Sequence, residues 1–129
     1  MIVSTVNNAL EPTVRLTVRN ATGSDHEIEA VVDTGFTGSL TLPISVIAVF
    51  GLPWLIRQTV RLGDGSTDYY DVHSGIILWD GMVRQISVEA ANTRPLLGME
   101  LILGCRLQIE AFPGGRVIIE SLPAKGPVP

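Results

Sequence analysis

One cysteine, one lysine and few charges leave this 129-residue chain without the means for several chemistries. Cys105 alone cannot close an internal disulfide, which excludes a disulfide-stapled scaffold. Lys125 is the only lysine, and the arginines are scattered through a chain of formal net charge -4 and pI near 5.0. Nothing here resembles the clustered basic footprint that a nucleic-acid partner requires. The longest apolar stretch, residues 42–56, is too short to span a bilayer and is interrupted by Pro43, Gly51 and Pro53. No charged segment followed by an apolar one opens the sequence. The chain is therefore read as a reduced, cytoplasmic protein with no nucleic-acid or membrane partner. Metal ligands are lacking too. His26 and His73 stand far apart with no Cys or His at ligand spacing, so each is read as a surface or hydrogen-bonded histidine and no metal is expected.

What the chain does have is apolar mass. Hydrophobic residues make up 46% of it against 17% charged, enough for a folded core and with less surface charge than usual, so a partner is expected to cover some apolar surface. The length suits one domain, placed at residues 1–122, followed by a Pro-rich tail at 123–129 with little to bury.

Within the domain, one stretch stands out. Val31 and Val32, β-branched and suited to a buried strand, deliver Asp33 into a turn flanked by Gly35 and Gly38. Taken alone, Asp33-Thr34-Gly35 is also ordinary Asx-turn chemistry between two strands. Leading into it, Val14, Leu16 and Val18 alternate with polar residues, as do Ile28, Ala30 and Val32, which predicts a hairpin closed near residues 20–25. Asn20-Ala21-Thr22 matches a glycosylation sequon but reads as a loop triplet.

After Asp33, Pro43 and Gly51 bracket a short helix over residues 44–50. Trp54 is expected to anchor in the core. Residues 59–62 and 67–72 read as hairpin arms around Gly63-Asp64-Gly65-Ser66, because Asp-Gly between strand-like arms is a strong turn signal. These arms are polar for a core hairpin, which suits either a projecting flap or a plain surface hairpin. A calcium loop starting at Asp64 is excluded: its sixth position is Tyr69 and its twelfth Gly75. A further hairpin turns at Asp80-Gly81, with Trp79 packing at its edge. Leu96-Leu97-Gly98 reads as a buried strand entering a short helical stretch that ends at Gly104, and two last strands flank Pro113-Gly114-Gly115. The result is an all-β chain, a small barrel or folded sheet with one or two short helices.

The order of these parts resembles the retropepsin-like aspartic proteases, single-domain bacterial-type relatives of retroviral protease: Val31-Val32-Asp33-Thr34-Gly35, a polar flap-like hairpin, then Leu96-Leu97-Gly98 running on to Gly104-Cys105-Arg106-Leu107. The resemblance spans roughly residues 14–112. It implies an acid-protease barrel with a flap, no cofactor, and an endopeptidase acting on a peptide or protein substrate. Two carboxylates close together cannot both ionise, and the pair can activate a water while protonating the scissile amide. Only one Asp-Thr-Gly is present, so the second carboxylate is expected from the Asp33 of a homodimer partner. By the resemblance, Thr34 bonds across the twofold axis, Gly35 lines the substrate backbone, and Leu97 and Gly98 support the loop from behind. The flap, with Gly63, Asp64, Gly65 and Ser66, covers an extended peptide held by strand addition.

Three departures are informative. Phe36 replaces the Ala or Ser of better-known relatives, and its ring would shape or obstruct a subsite. Without the serine hydroxyl that bonds the acid in pepsin-like enzymes, the expected activity optimum is less acidic than theirs. Glu100 stands where many bacterial relatives carry Asp, at the start of the expected helical stretch. The flap lacks a glycine-rich run. The alternative function is a non-catalytic dimeric peptide-binding module of the same fold, and self-processing alone ranks last.

Overall fold

The computed structural model describes residues 1–123; residues 124–129 of the expected tail, Lys125 among them, lie outside the described residues. Ten strands and one helix account for the regular structure: β1 (Ile2–Thr5), β2 (Thr13–Arg19), β3 (Asp25–Val32), β4 (Leu40–Leu42), α1 (Ile44–Phe50), β5 (Trp54–Arg61), β6 (Thr67–Trp79), β7 (Met82–Ala90), β8 (Leu96–Leu97), β9 (Cys105–Ile109) and β10 (Arg116–Ser121). The chain is all-β.

Seven strands form one sheet in the order β2-β3-β8-β4-β7-β6-β5, and a further pairing of β2 with β6 closes six of them into a barrel. The alternating residues of β2 point inward as expected: Val14, Leu16 and Val18 are buried, and they meet Ala30, Val32, Leu40, Leu42, Ile77, Val88 and Leu97 in one apolar cluster. Fully burying each such side chain contributes about 1.5–3 kcal/mol. A second sheet, β1-β10-β9, adds Val117 and Ile119 to the same cluster.

Helix α1 keeps its expected bounds. Pro43 precedes it and cannot donate, and Gly51 ends it in the left-handed conformation at φ 65°, donating its N–H to Ala48. Four expectations are corrected. The arms at 67–72 and 76–79 are one continuous strand, β6, since Gly75 is tolerated where it pairs with Ile86 beneath the Val88 side chain. Strand β1 was not expected, because four residues are too few to show a period, yet β10 supplies it with a pairing edge. Trp54 is no core anchor. It begins the outermost strand, whose eight residues are all exposed, and it remains 59% accessible. The segment after Gly98 forms successive turns rather than a helix, with Leu101, Leu103 and Cys105 each donating to the carbonyl three residues back. Glu100 therefore has no helix dipole to complement. The segment is only six residues long, and burial of Leu101 and Ile102 dictates its path.

Candidate active site

Asp33 follows the last residue of β3, and the parallel strand β8 lies beside that strand with Val31 opposite Leu96 and Val32 opposite Leu97. On its other side β8 runs antiparallel to β4, with Leu40 opposite Leu97. The two arms of the Asp33 loop thus straddle Leu96 and Leu97. Parallel neighbours of this kind need a long crossover, and here residues 33–95 supply it.

Backbone bonds then close the loop on the second motif. Asp33 donates its N–H to Leu97 O at 2.9 Å, Gly98 to Ser39 O at 3.0 Å, Met99 to Phe36 O at 2.8 Å and Glu100 to Gly38 O at 3.2 Å. Leu96 donates to the buried Thr41 hydroxyl at 2.9 Å. Locally the loop is an Asx-turn, as the simplest reading of the residues has it: the Gly35 N–H donates to Asp33 Oδ1 at 2.9 Å and the Phe36 N–H to Asp33 O at 3.1 Å. Its environment is less ordinary. Asp33 is half-buried while Thr34 and Gly35 are exposed, so the loop offers its tip to whatever approaches from outside the chain.

Gly98 is buried because it has to be. A Cβ built there would overlap the Gly38 carbonyl oxygen and lie 2.5 Å from Phe36 Cδ2 and 2.7 Å from Phe36 O. At Gly38 a Cβ would meet Phe36 Cζ at 2.6 Å. The Phe36 ring, half-buried, therefore lies across both glycines and packs the two motifs together. Ring and glycines are complementary: a small residue at 36 would leave this face of the loop uncovered.

The flap residues sit elsewhere. Gly63, Asp64, Gly65 and Ser66 form the exposed tip joining β5 to β6, with Gly65 at φ 86°. Leu62 donates to Ser66 O at 2.8 Å, and Asp64 Oδ1 accepts the Ser66 N–H at 2.9 Å and hydroxyl at 2.5 Å. Those bonds, the hydroxyl's first, hold the Asp64 carboxyl below its ordinary range. No hydrogen bond among the described residues joins this tip to the Asp33 loop. Nor do those residues bring three His, Cys, Asp or Glu together as a metal would require.

One neighbour of the loop escaped sequence reasoning. Glu89 on β7 is paired with Thr41 on β4, and its Oε1 comes to 3.4 Å from where a Gly38 Cβ would stand. Burial raises its carboxyl above the ordinary range, and the Glu100 charge adds to this, against a lowering bond from Tyr70. Tyr70 is in turn raised, by burial first and then by Glu89. The parallel pairing of β4 with β7 that brings Glu89 here leaves no periodic mark in the sequence.

In fold the chain is similar to a retropepsin-like aspartic protease from Rickettsia conorii. The two are 16% identical, with 88% of this chain and 96% of that chain covered, at a TM-score of 0.47. No protein-family model and no curated protein matches. No helix among the described residues is long and apolar enough to cross a membrane.

Proposed function

We propose that this chain is an aspartic endopeptidase of the retropepsin-like family, active as a homodimer. The observation that carries the reading is the Asp33 loop, an Asp-Thr-Gly turn pinned by four backbone bonds to residues 97–100 and threaded by Leu96 and Leu97. A surface turn between two strands needs no such bracing. A carboxylate that must hold a water and share a proton does, because proton transfer demands a fixed distance and angle.

Each chain brings one such carboxylate, so the working site is two Asp33 side chains facing each other across a twofold axis. The unprotonated member takes a proton from the bound water as it attacks the scissile carbonyl. The protonated member polarises that carbonyl, and collapse of the tetrahedral intermediate passes a proton to the leaving amine. Gly35 lies along the substrate backbone, Thr34 crosses to the other loop, and the Gly63–Ser66 tip closes over the peptide. Leu97 and Gly98 act through the loop and do not touch substrate. A bulky Phe36 in place of a hydroxyl takes away one bond to the acid, which favours an optimum less acidic than that of pepsin-like enzymes.

The test is peptide-library cleavage by wild type and Asp33→Asn across acidic to neutral pH. Asp33→Asn is expected to lose at least about 10³-fold in rate with its fold intact, given the usual size of acid–base catalysis. Undiminished cleavage by the variant, with the same products, would sink the mechanism. A protein that binds peptides through the flap and cleaves none would favour the dimeric peptide-binding module.

A further inference from the structure

Away from the Asp33 loop, α1 and the root of the flap hairpin line an open pocket of about 430 Å³, a volume within the range of small-molecule sites. Ile44, Ile47, Leu52 and Trp54 give it apolar walls, and Asp71 and His73 are its ionisable lining residues. Their hydrogen bonds define what it can recognise. His73 Nδ1 lies 2.9 Å from the Leu52 carbonyl oxygen. A carbonyl only accepts, so Nδ1 carries the hydrogen, and in the imidazole tautomer this selects Nε2 is the acceptor. Asp71 Oδ1 accepts from Trp54 Nε1 at 3.1 Å and from Arg57 Nε at 3.0 Å, and these bonds, Arg57's first, keep the carboxyl ionised below its ordinary range. The Trp54 N–H is thereby committed. What the lining side chains offer a ligand is a carboxylate, an imidazole acceptor and an indole face, with no uncommitted donor.

We infer that this cavity binds a small primary ammonium ion carried on an apolar body of about one ring, with the ring against Ile44, Ile47 and Trp54 and the ammonium directed to Asp71 and His73. An ammonium has three donors and no acceptor, which matches an acceptor-only lining, and the exposed indole adds cation–π attraction. Arg57 already pairs with Asp71 at both oxygens, with Nη2 3.4 Å from Oδ2, so an anion is disfavoured because the lining side chains offer it no donor. An uncharged apolar molecule would strip water from the carboxylate and return no bond. The site is separate from the proposed dyad: Asp33, Thr34 and Gly35 are not among its lining residues. Since the cavity joins α1 to β5 and β6, an occupant would tie the root of the hairpin to the barrel.

Phenethylamine is the probe, with 2-phenylethanol as its uncharged match, titrated into the whole chain and followed by the two tryptophan indole N–H resonances. Saturable movement of the Trp54 resonance is expected with the amine, with Trp79 still. Asp71→Asn should weaken binding about tenfold, the usual effect of losing one charge-assisted bond. Ala48→Leu, at a helical position where leucine is well tolerated, should fill the cavity and abolish binding. Asp33→Asn should bind like wild type. Equal binding of amine and alcohol, indifference to Asp71→Asn, or no saturable response would each overturn the proposal. A protein that binds the amine yet cleaves no peptide would unseat the protease reading and leave this one standing.

Discussion

Two glycines carry opposite lessons about what a missing side chain does. Gly98 is needed for space: any Cβ there collides with the Gly38 and Phe36 carbonyl oxygens, so Gly98→Ala forces the two motifs apart. We expect it to destabilise the chain by about 2–3 kcal/mol, as overpacking does, with a matching fall in urea midpoint. Gly65 is needed for its backbone angle alone. It has nothing within 4 Å of a built Cβ but sits at φ +86°, so Gly65→Ala should cost only about 1 kcal/mol and leave the core untouched. Equal losses in a paired denaturation experiment would contradict this division. The raised carboxyl of Glu89 supplies a pH prediction. A carboxyl that holds its proton more tightly when folded favours folding at low pH, and that contribution disappears as pH rises from the ordinary 4.5 through the raised value. Glu89→Gln keeps an acceptor for Tyr70 and removes the penalty. Its stability should exceed wild type at pH 7 by under about 1 kcal/mol, because the group is half solvated, seen as a higher melting temperature that returns to the wild-type value near pH 4.

Among the elements, sequence and structure agree where the signal is local. The β2–β3 hairpin, the bounds of α1 and the Asp64-Gly65 turn were all legible, because alternation, Pro43, Gly51 and Asp-Gly act on their immediate neighbours. Trp54 misled because an aromatic side chain is read as core unless its strand is known to be outermost. The turns after Gly98 misled because apolar spacing in six residues cannot separate a helix from a string of bends. Asp33 itself was legible as a strand-end turn, whereas Thr41, Glu89 and the packing of Phe36 on two glycines come from pairings between distant segments. At the flap, Arg57 stacks over Tyr69 at 4.2 Å while bonding Asp71 across the hairpin. This clip steadies the hairpin well back from its tip, so if the hairpin closes over a peptide as proposed, the bending should concentrate beyond the clip, in residues 60–67.

For the molecule as a whole, the proposed site, split between two identical chains, would make activity a matter of concentration. Below the dissociation constant of the dimer, specific activity should fall in proportion to protein concentration, and an excess of Asp33→Asn chains should poison wild type by forming mixed pairs. Dilution series with sedimentation of the same samples would check both, and a monomer with constant specific activity would rule out the shared site. The threading of β8 between the arms of the Asp33 loop bears on timing as well as geometry. The bond from Leu96 to Thr41 spans 55 residues of chain, so closing the loop requires a long-range search that local hairpins do not. During synthesis the Asp33 turn emerges well before the strand that braces it. A nascent chain therefore carries its carboxylate unbraced until residue 98 has left the ribosome, which under the proposed mechanism would delay cutting until the barrel is nearly built.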